Sequence, residues 1–325
     1  MKALVLVGKD LPLDFQTVAE PVAQADELVV TLRAAALNHR DVWIQKGQYA
    51  GIRFPTILGS DGAGTLPNGK AVVINPSINW GDNPRFQSPD YEILGLPRNG
   101  TFAQKIAIPS QQLFEKPTHL TFSEAACLPL AGLTAFRALF GKCGAKAGEK
   151  VLISGIGGGV ALFALQFALA AGCEVWVTSS SEEKIARAKA LGATGGIEYT
   201  KENWAKTLLS QTGGVDVVID SAGGAGFGEL AKVCRAGARM AFYGGTRGAI
   251  TGLSPQIIFY KQISIFGSTM GNPKEFKQMI AFVKKHKIVP IIDSTFSLEN
   301  GNDAMQKMDN GTQFGKIVLE INSTQ

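Results

Sequence analysis

Four glycines fall within the ten residues Val151-Leu-Ile-Ser-Gly155-Ile-Gly157-Gly158-Gly159-Val160. An apolar run leads into them, and a longer apolar stretch, Ala161 to Ala171, leads out. That order predicts a strand, a tight turn and a helix, the form taken by a pyrophosphate-binding turn. Glycine lets the backbone bend sharply and approach a phosphate closely. The helix that follows turns unpaired N–H groups and its positive dipole end toward the anion. Glycines alone leave a second reading open, since any tight strand-to-helix turn can use them.

A second chemical signal lies further on. The β-rich run Glu174-Val-Trp-Val-Thr178 predicts the next parallel strand. Where that strand ends, NAD sites usually carry an Asp or Glu for the adenosine ribose. Here the chain continues Ser179-Ser180-Ser181-Glu-Glu-Lys184-Ile-Ala-Arg187. Small hydroxyls leave room for a 2′-phosphate, which Lys184 and Arg187 can neutralise. The expected cofactor is therefore NADP(H) rather than NAD(H). Ser180 or Ser181 can also cap the next helix, with Glu182 or Glu183 in its first turn.

These residues need a scaffold that brings strand ends together. From Ser123 a helical segment runs to Leu139, opened by a serine cap. Six apolar strands follow, at Val151–Ser154, Glu174–Thr178, Ile197–Tyr199, Val215–Asp220, Arg239–Tyr243 and Ile263–Phe266. Helices near Ala161–Ala171, Glu182–Leu191, Asn203–Leu209 and Glu229–Cys234 alternate with them. That rhythm predicts an α/β fold with a doubly wound parallel sheet, whose ligands sit beyond the carboxyl ends of the strands. Those ends carry Gly155, Ser179, Tyr199, Asp220-Ser221-Ala222-Gly223, Tyr243-Gly244-Gly245 and Gly267. Residues before about Thr121 read instead as short strands broken by Gly, Pro and Asn, a β-rich domain. The segment Asn75 to Gly100 is a proline-bearing loop lobe. After Pro273 come two helices and a closing strand, Lys316–Ile321, expected to rejoin the first domain. The expected domains are 1–122, completed by 268–325, and 123–267, with the site in the cleft between them.

Composition narrows the partners. At 325 residues, two domains are expected, and 45% hydrophobic content suits sizeable cores. The net charge of +5 is dispersed, and its one cluster, Lys284-Lys285-His286-Lys287, suits a helix C-terminus. With no aromatic platform beside it, no nucleic-acid partner is expected. Cys127, Cys143, Cys173 and Cys234 stand too far apart for a disulfide framework or a structural zinc. The apolar N-terminal run is too short for a signal peptide, and no run reaches membrane-spanning length. The expectation is a cytoplasmic protein with a small-molecule substrate and no membrane partner. The apolar edge strand Ile263–Phe266 further predicts a homodimer.

Several motifs, in this order and spacing, resemble a known family. They are Ala35-Ala-Leu-Asn38-His-Arg-Asp41, Leu58-Gly-Ser-Asp61-Gly-Ala-Gly64, Leu128-Pro-Leu-Ala-Gly-Leu-Thr134-Ala, Gly158-Gly-Val160, Asp220-Ser-Ala-Gly223, Tyr243-Gly-Gly245 and Gly315-Lys316-Ile-Val. Over its whole length the chain resembles the medium-chain dehydrogenases/reductases of the quinone oxidoreductase and zinc-type alcohol dehydrogenase group. The resemblance implies a GroES-like β domain followed by a Rossmann domain. It implies that Asn38 and Thr134 lie against the nicotinamide, and that Tyr199 approaches the 2′-phosphate. Ser221, Ala222, Tyr243, Gly244 and Gly245 would border the cofactor, and Lys316 would touch it. Tyr49 matches a tyrosine lining the substrate pocket in some relatives. Each has a plainer reading: a turn residue at Asn38, a helix hydroxyl at Thr134, packed aromatics at Tyr49 and Tyr199, a surface lysine at Lys316. Asp41 is read as fixing backbone locally.

Zinc-dependent relatives supply Cys where this chain has Asn38, His-Glu where it has Ser60-Asp61, and a third thiolate around Leu130. No metal is therefore expected. Without a Lewis acid, a conjugated carbonyl or quinone is the easier hydride acceptor, because charge spreads onto an oxygen that hydrogen bonds can serve. The expected activity is a zinc-independent, NADPH-dependent reductase of quinones or α,β-unsaturated carbonyls. An alcohol dehydrogenase-like enzyme and an NADPH-binding protein with little catalysis stay open as alternatives.

Overall fold

Between residues 150 and 267 the alternation of apolar strands and helices closes into one sheet of six parallel strands. Their spatial order is Gly195–Glu198, Glu174–Ser179, Lys150–Ile153, Val215–Asp220, Cys234–Phe242 and Ser264–Gly267. The order reverses beside Lys150–Ile153, so the turn after that strand sits at the switch point where such sheets bind ligands. Val215–Asp220 is buried throughout, as expected of a central parallel strand with both faces covered. The helix after the glycine turn, Gly159–Ala170, is apolar along almost its whole length and largely buried. A computed structural model describes residues 1–322 of the chain. This sheet belongs to a unit spanning Thr134–Met270, and Met1–Leu133 with the chain from Gly271 forms the other.

In the other unit the central strand is Glu27–Ala36. Asp61–Thr65 pairs with it on one side and Lys316–Glu320 on the other, both antiparallel. The C-terminal strand thus completes the N-terminal sheet, and Ile317 and Leu319 join a core with Leu4, Leu6, Leu32 and Phe102. Ile292–Ser297 adds a further strand that the sequence does not signal. The lobe from Asn75 to Gly100 holds a two-stranded ribbon, Ser77–Ile78 with Glu92–Ile93, under an edge-on Trp80–Tyr91 pair. Among the described residues no helix is long and apolar enough to cross a membrane.

Three sequence expectations need correction. The helix read as Ser123–Leu139 is three pieces: Phe122–Ala126, Pro129–Phe136 and a π-helical turn, Arg137–Lys142. Its cap is Thr121, not Ser123. Glu124 reaches back to the Thr121 N–H at 2.7 Å, and the Thr121 side chain accepts from Glu124 N. The helix Pro255–Lys261 was not anticipated, although Ser254-Pro255 is a readable start, with proline in the first turn. The first unit runs to Leu133, past residue 122, because Phe122–Ala126 packs on the strands Glu27–Ala36 and Asp61–Thr65.

Candidate functional site

The glycine turn is built as its residue types require. Gly155 and Gly157 have φ of +66° and +132°, a region that side chains with a Cβ avoid. A Cβ on Gly157 would come within 3.0 Å of the Lys184 side chain, so that lysine lies against the turn. Gly158 is the N-cap of the following helix, with Gly159 and Val160 in its first turn. Thr178 fixes the turn to the neighbouring strand, accepting from Gly155 N at 3.2 Å through Oγ1 and from Ile156 N at 2.8 Å through its carbonyl.

The other strand ends meet along the same edge. Ser179 is buried and its Oγ accepts from Ser181 N at 3.1 Å, while Ser180 is exposed. Ser181 is the cap of the next helix, accepting from Lys184 N at 3.3 Å. Asp220 is buried and shapes the Ser221-Ala222 loop, its carboxylate accepting from Ser154 Oγ, Ala222 N and Gly223 N. Tyr243 N bonds Asp220 O at 3.0 Å, which brings Tyr243, Gly244 and Gly245 beside that loop. Desolvation holds the Tyr243 phenol above its ordinary pKa against an opposing hydrogen bond with Ser221. Gly267 ends the edge strand. Tyr199 follows its strand, and Arg247, unremarked in the sequence, lies over its ring at 4.9 Å and donates to its hydroxyl at 3.0 Å. Thr134, also in this unit, is buried with Oγ1 3.8 Å from Met270 Sδ.

In the other unit three neighbouring strands deliver a buried polar cluster. Lys316 Nζ donates to Leu37 O at 2.7 Å, Asn38 Oδ1 at 2.8 Å and Asp61 Oδ2 at 2.9 Å. Asn38 Nδ2 donates to the same Asp61 oxygen at 2.9 Å, and Leu130 N donates to the other at 2.8 Å. Lys316 is thus no surface lysine; it is 3% exposed. Asn38 caps the helix His39–Gln45, and Asp41 accepts its N–H at 2.8 Å, which is the local backbone role read from the sequence. His39 is exposed while Asp41 is fully buried. Desolvation lifts the Asp41 carboxyl to about 6, against the lowering pull of Arg40. Arg40 is itself buried, with Nη1 on Ser60 Oγ at 2.7 Å and Leu94 O at 2.8 Å and the Tyr49 ring 5.4 Å away.

Comparison with known proteins identifies the family. Residues 159–285 match the zinc-binding dehydrogenase family and residues 24–118 the alcohol dehydrogenase GroES-like domain. A zinc-type alcohol dehydrogenase-like protein of Leptosphaeria maculans is 35% identical over 95% of both chains. The chain belongs to the medium-chain dehydrogenase/reductase superfamily. A solved structure of an NAD-dependent alcohol dehydrogenase superposes with a TM-score of 0.93 at 35% identity, covering 99% of this chain and 100% of that one. A crotonyl-CoA reductase of Streptomyces avermitilis is 30% identical, over 80% of this chain and 67% of its own. This medium-chain dehydrogenase/reductase is accordingly an oxidoreductase of a superfamily that uses NAD or NADP.

The donor set does not fit the catalytic zinc of zinc-dependent members. By the resemblance, Asn38, Ser60 and Leu130 stand at the ligand positions, and an amide, a hydroxyl and an alkyl group are poor substitutes for thiolate and imidazole. Both Asp61 oxygens are already bonded, one of them to an ammonium. Nearby Cys127 donates its thiol to Ser123 O, and burial pushes its pKa up to about 12, far from a thiolate. Among the described residues no three His, Cys, Asp or Glu side chains converge. Sequence reasoning missed Arg40, Arg247 and the bonding of Lys316 to Asp61. All three are contacts between segments far apart in the chain, and local spacing carries no signal of them.

Proposed function

We propose that this reductase transfers hydride from NADPH to a quinone or an α,β-unsaturated carbonyl without a metal. The observation that carries the proposal is the Lys316 ammonium bonded to Asn38 and Asp61, two positions that the resemblance matches to the ligand set of zinc-dependent relatives. An ordinary ketone needs a Lewis acid or strong general acid on its oxygen. A conjugated acceptor spreads the incoming charge and needs only hydrogen-bond donors. The relative named as a crotonyl-CoA reductase supports an activated alkene as acceptor.

The preference for NADPH rests on the adenosine end. Ser179 and Ser180 replace the ribose-binding acid, and Lys184 and Arg247 lie beside the glycine turn and Tyr199. These features outweigh the NAD-dependent structural neighbour, because discrimination depends on local charge rather than overall fold. When bound, the nicotinamide supplies the hydride. Gly155, Gly157, Gly158, Gly159 and Val160 would receive the pyrophosphate, and Ser221, Ala222, Tyr243, Gly244, Gly245 and Gly267 would line the remaining cofactor path. Asn38 retains one amide N–H beyond its bond to Asp61, and with Thr134 it would orient the carboxamide. Lys316 positions Asn38 from behind.

Titrating the purified protein with NADPH and NADH, then adding a small quinone or 2-alkenal, tests the reading. NADPH should bind at least ten-fold more tightly and be oxidised by either acceptor. Equal affinities would remove the cofactor assignment. Tight NADPH binding without turnover on any such acceptor would move the protein to a non-catalytic role.

A further inference from the structure

We propose that Arg40 anchors the substrate oxygen, its guanidinium receiving the carbonyl or quinone oxygen of the acceptor as negative charge develops there. The inference deepens the reduction reading above and rests on it.

Arg40 is 6% exposed. Its hydrogen bonds among the described residues both leave Nη1 and both reach uncharged acceptors, Ser60 Oγ and Leu94 O. Its Nε is buried without an acceptor. A buried guanidinium whose hydrogen bonds go only to neutral groups keeps unspent N–H donors for an incoming oxygen, although the Asp41 carboxylate beside it offsets part of its charge. Asp41, next in the chain, spends its bonded oxygen on Asn38 N instead.

Lys316 is the competing cation, and its bonding excludes it. Its three N–H groups are taken by Leu37 O, Asn38 Oδ1 and Asp61 Oδ2, and Asp61 neutralises its charge. Arg40, whose charge Asp41 offsets only through space, keeps N–H donors beyond its two Nη1 bonds. It is also tethered to Ser60, the position at which zinc-dependent relatives place a histidine, and it lies over Tyr49, which resemblance puts in the substrate pocket. The electrophilic task of a metal thus passes to a fixed guanidinium.

The chemistry balances. As the β-carbon of an enone takes hydride, the C=C electron pair shifts and the carbonyl π pair moves onto oxygen. The Arg40 N–H donates to that oxygen, and water supplies a proton to the α-carbon. For a quinone, hydride and one water-derived proton together give the hydroquinone.

Arg40→Lys is the discriminating variant, because it keeps the charge and can reach Ser60 and Leu94 but removes Nε. Its kcat/KM for a 2-alkenal should fall at least a hundred-fold, with the NADPH Kd within two-fold of wild type and a cooperative melt retained. Crotonate, a carboxylate probe that needs no turnover, should bind the wild type by calorimetry and the variant at least ten-fold more weakly. If Arg40→Lys does not fold, Ser60→Ala leaves the guanidinium but frees it, and kcat should drop at least ten-fold with unchanged NADPH affinity. Wild-type kcat/KM and crotonate affinity in Arg40→Lys, or no crotonate binding by the wild type, would overturn the proposal. Crotonate binding without turnover on any enone or quinone would instead sink the reduction reading and leave the anion site standing.

Discussion

The Lys316 ammonium lies 2.9 Å from the Asp61 carboxylate, although 255 residues separate them, and both side chains are buried. The pair straddles one end of the strand Glu27–Ala36, with Asp61 on the strand to one side and Lys316 on the strand to the other. Replacing Lys316 with Met would leave Asp61 buried and uncompensated. Such a loss is expected to lower stability by about 3–5 kcal/mol. Adding Asp61→Asn to that variant should recover part of it. Urea unfolding of the two variants checks this, and an unchanged midpoint in Lys316→Met would show the pair to be inert.

Asp41 predicts a pH dependence. Folding raises its carboxyl from an ordinary 3.8 to about 6, so the folded chain holds the proton more tightly than the unfolded one. The resulting stabilisation is complete below pH 3.8 and is lost as pH rises through 6. Its size is about 3 kcal/mol, from roughly two pKa units at 1.36 kcal/mol each. Arg40, Asp61 and Lys316 are the charges that modulate it. Asp41→Asn should flatten the stability profile between pH 4 and 6. A variant with the wild-type slope would assign the dependence to other groups.

For the cofactor, Lys184→Ala and Arg247→Ala should each weaken NADPH by about 1.5–3 kcal/mol, the size of a charge-assisted hydrogen bond. NADH affinity should stay within two-fold. Ser180→Asp, at an exposed position beside the buried Ser179, should shift preference toward NADH. Equal losses for both cofactors would place these residues away from the 2′-phosphate.

The strand Ser264–Gly267 ends its sheet, and Phe259 and Tyr260 on the helix before it are 67% and 84% exposed. An open edge beside exposed aromatics invites a second copy. Light scattering should give a dimer for the wild type and a monomer for Phe266→Lys. A monomeric wild type at micromolar concentration would contradict this.

The parallel sheet was legible because strands such as Val151–Ile153, Val175–Thr178 and Val215–Ile219 are short apolar runs ending in small or polar residues, and helices of a different period lie between. The glycine turn and Ser179 were legible for the same local reason. The Thr121 cap was readable from Thr121-x-x-Glu124, a spacing that Ser123 obscured. The strand Ile292–Ser297 carries Asp293 and Ser294 at half-buried positions beside Ile292 and Phe296, and shows no apolar alternation. Charge pairing was not legible. Lys316 looks like any surface lysine until the closing strand brings it beside Asp61, and Arg40 looks like a helix-surface arginine until Ser60 and Leu94 enclose it.

The proposed chemistry turns on hydride transfer without a metal. NADPH oxidation by a 2-alkenal or a small quinone, measured before and after exhaustive chelation alongside elemental analysis, tests it most directly. An unchanged rate, no stoichiometric zinc, and near-background oxidation of simple alcohols are expected. Chelator-sensitive alcohol oxidation, restored by added zinc, would contradict it.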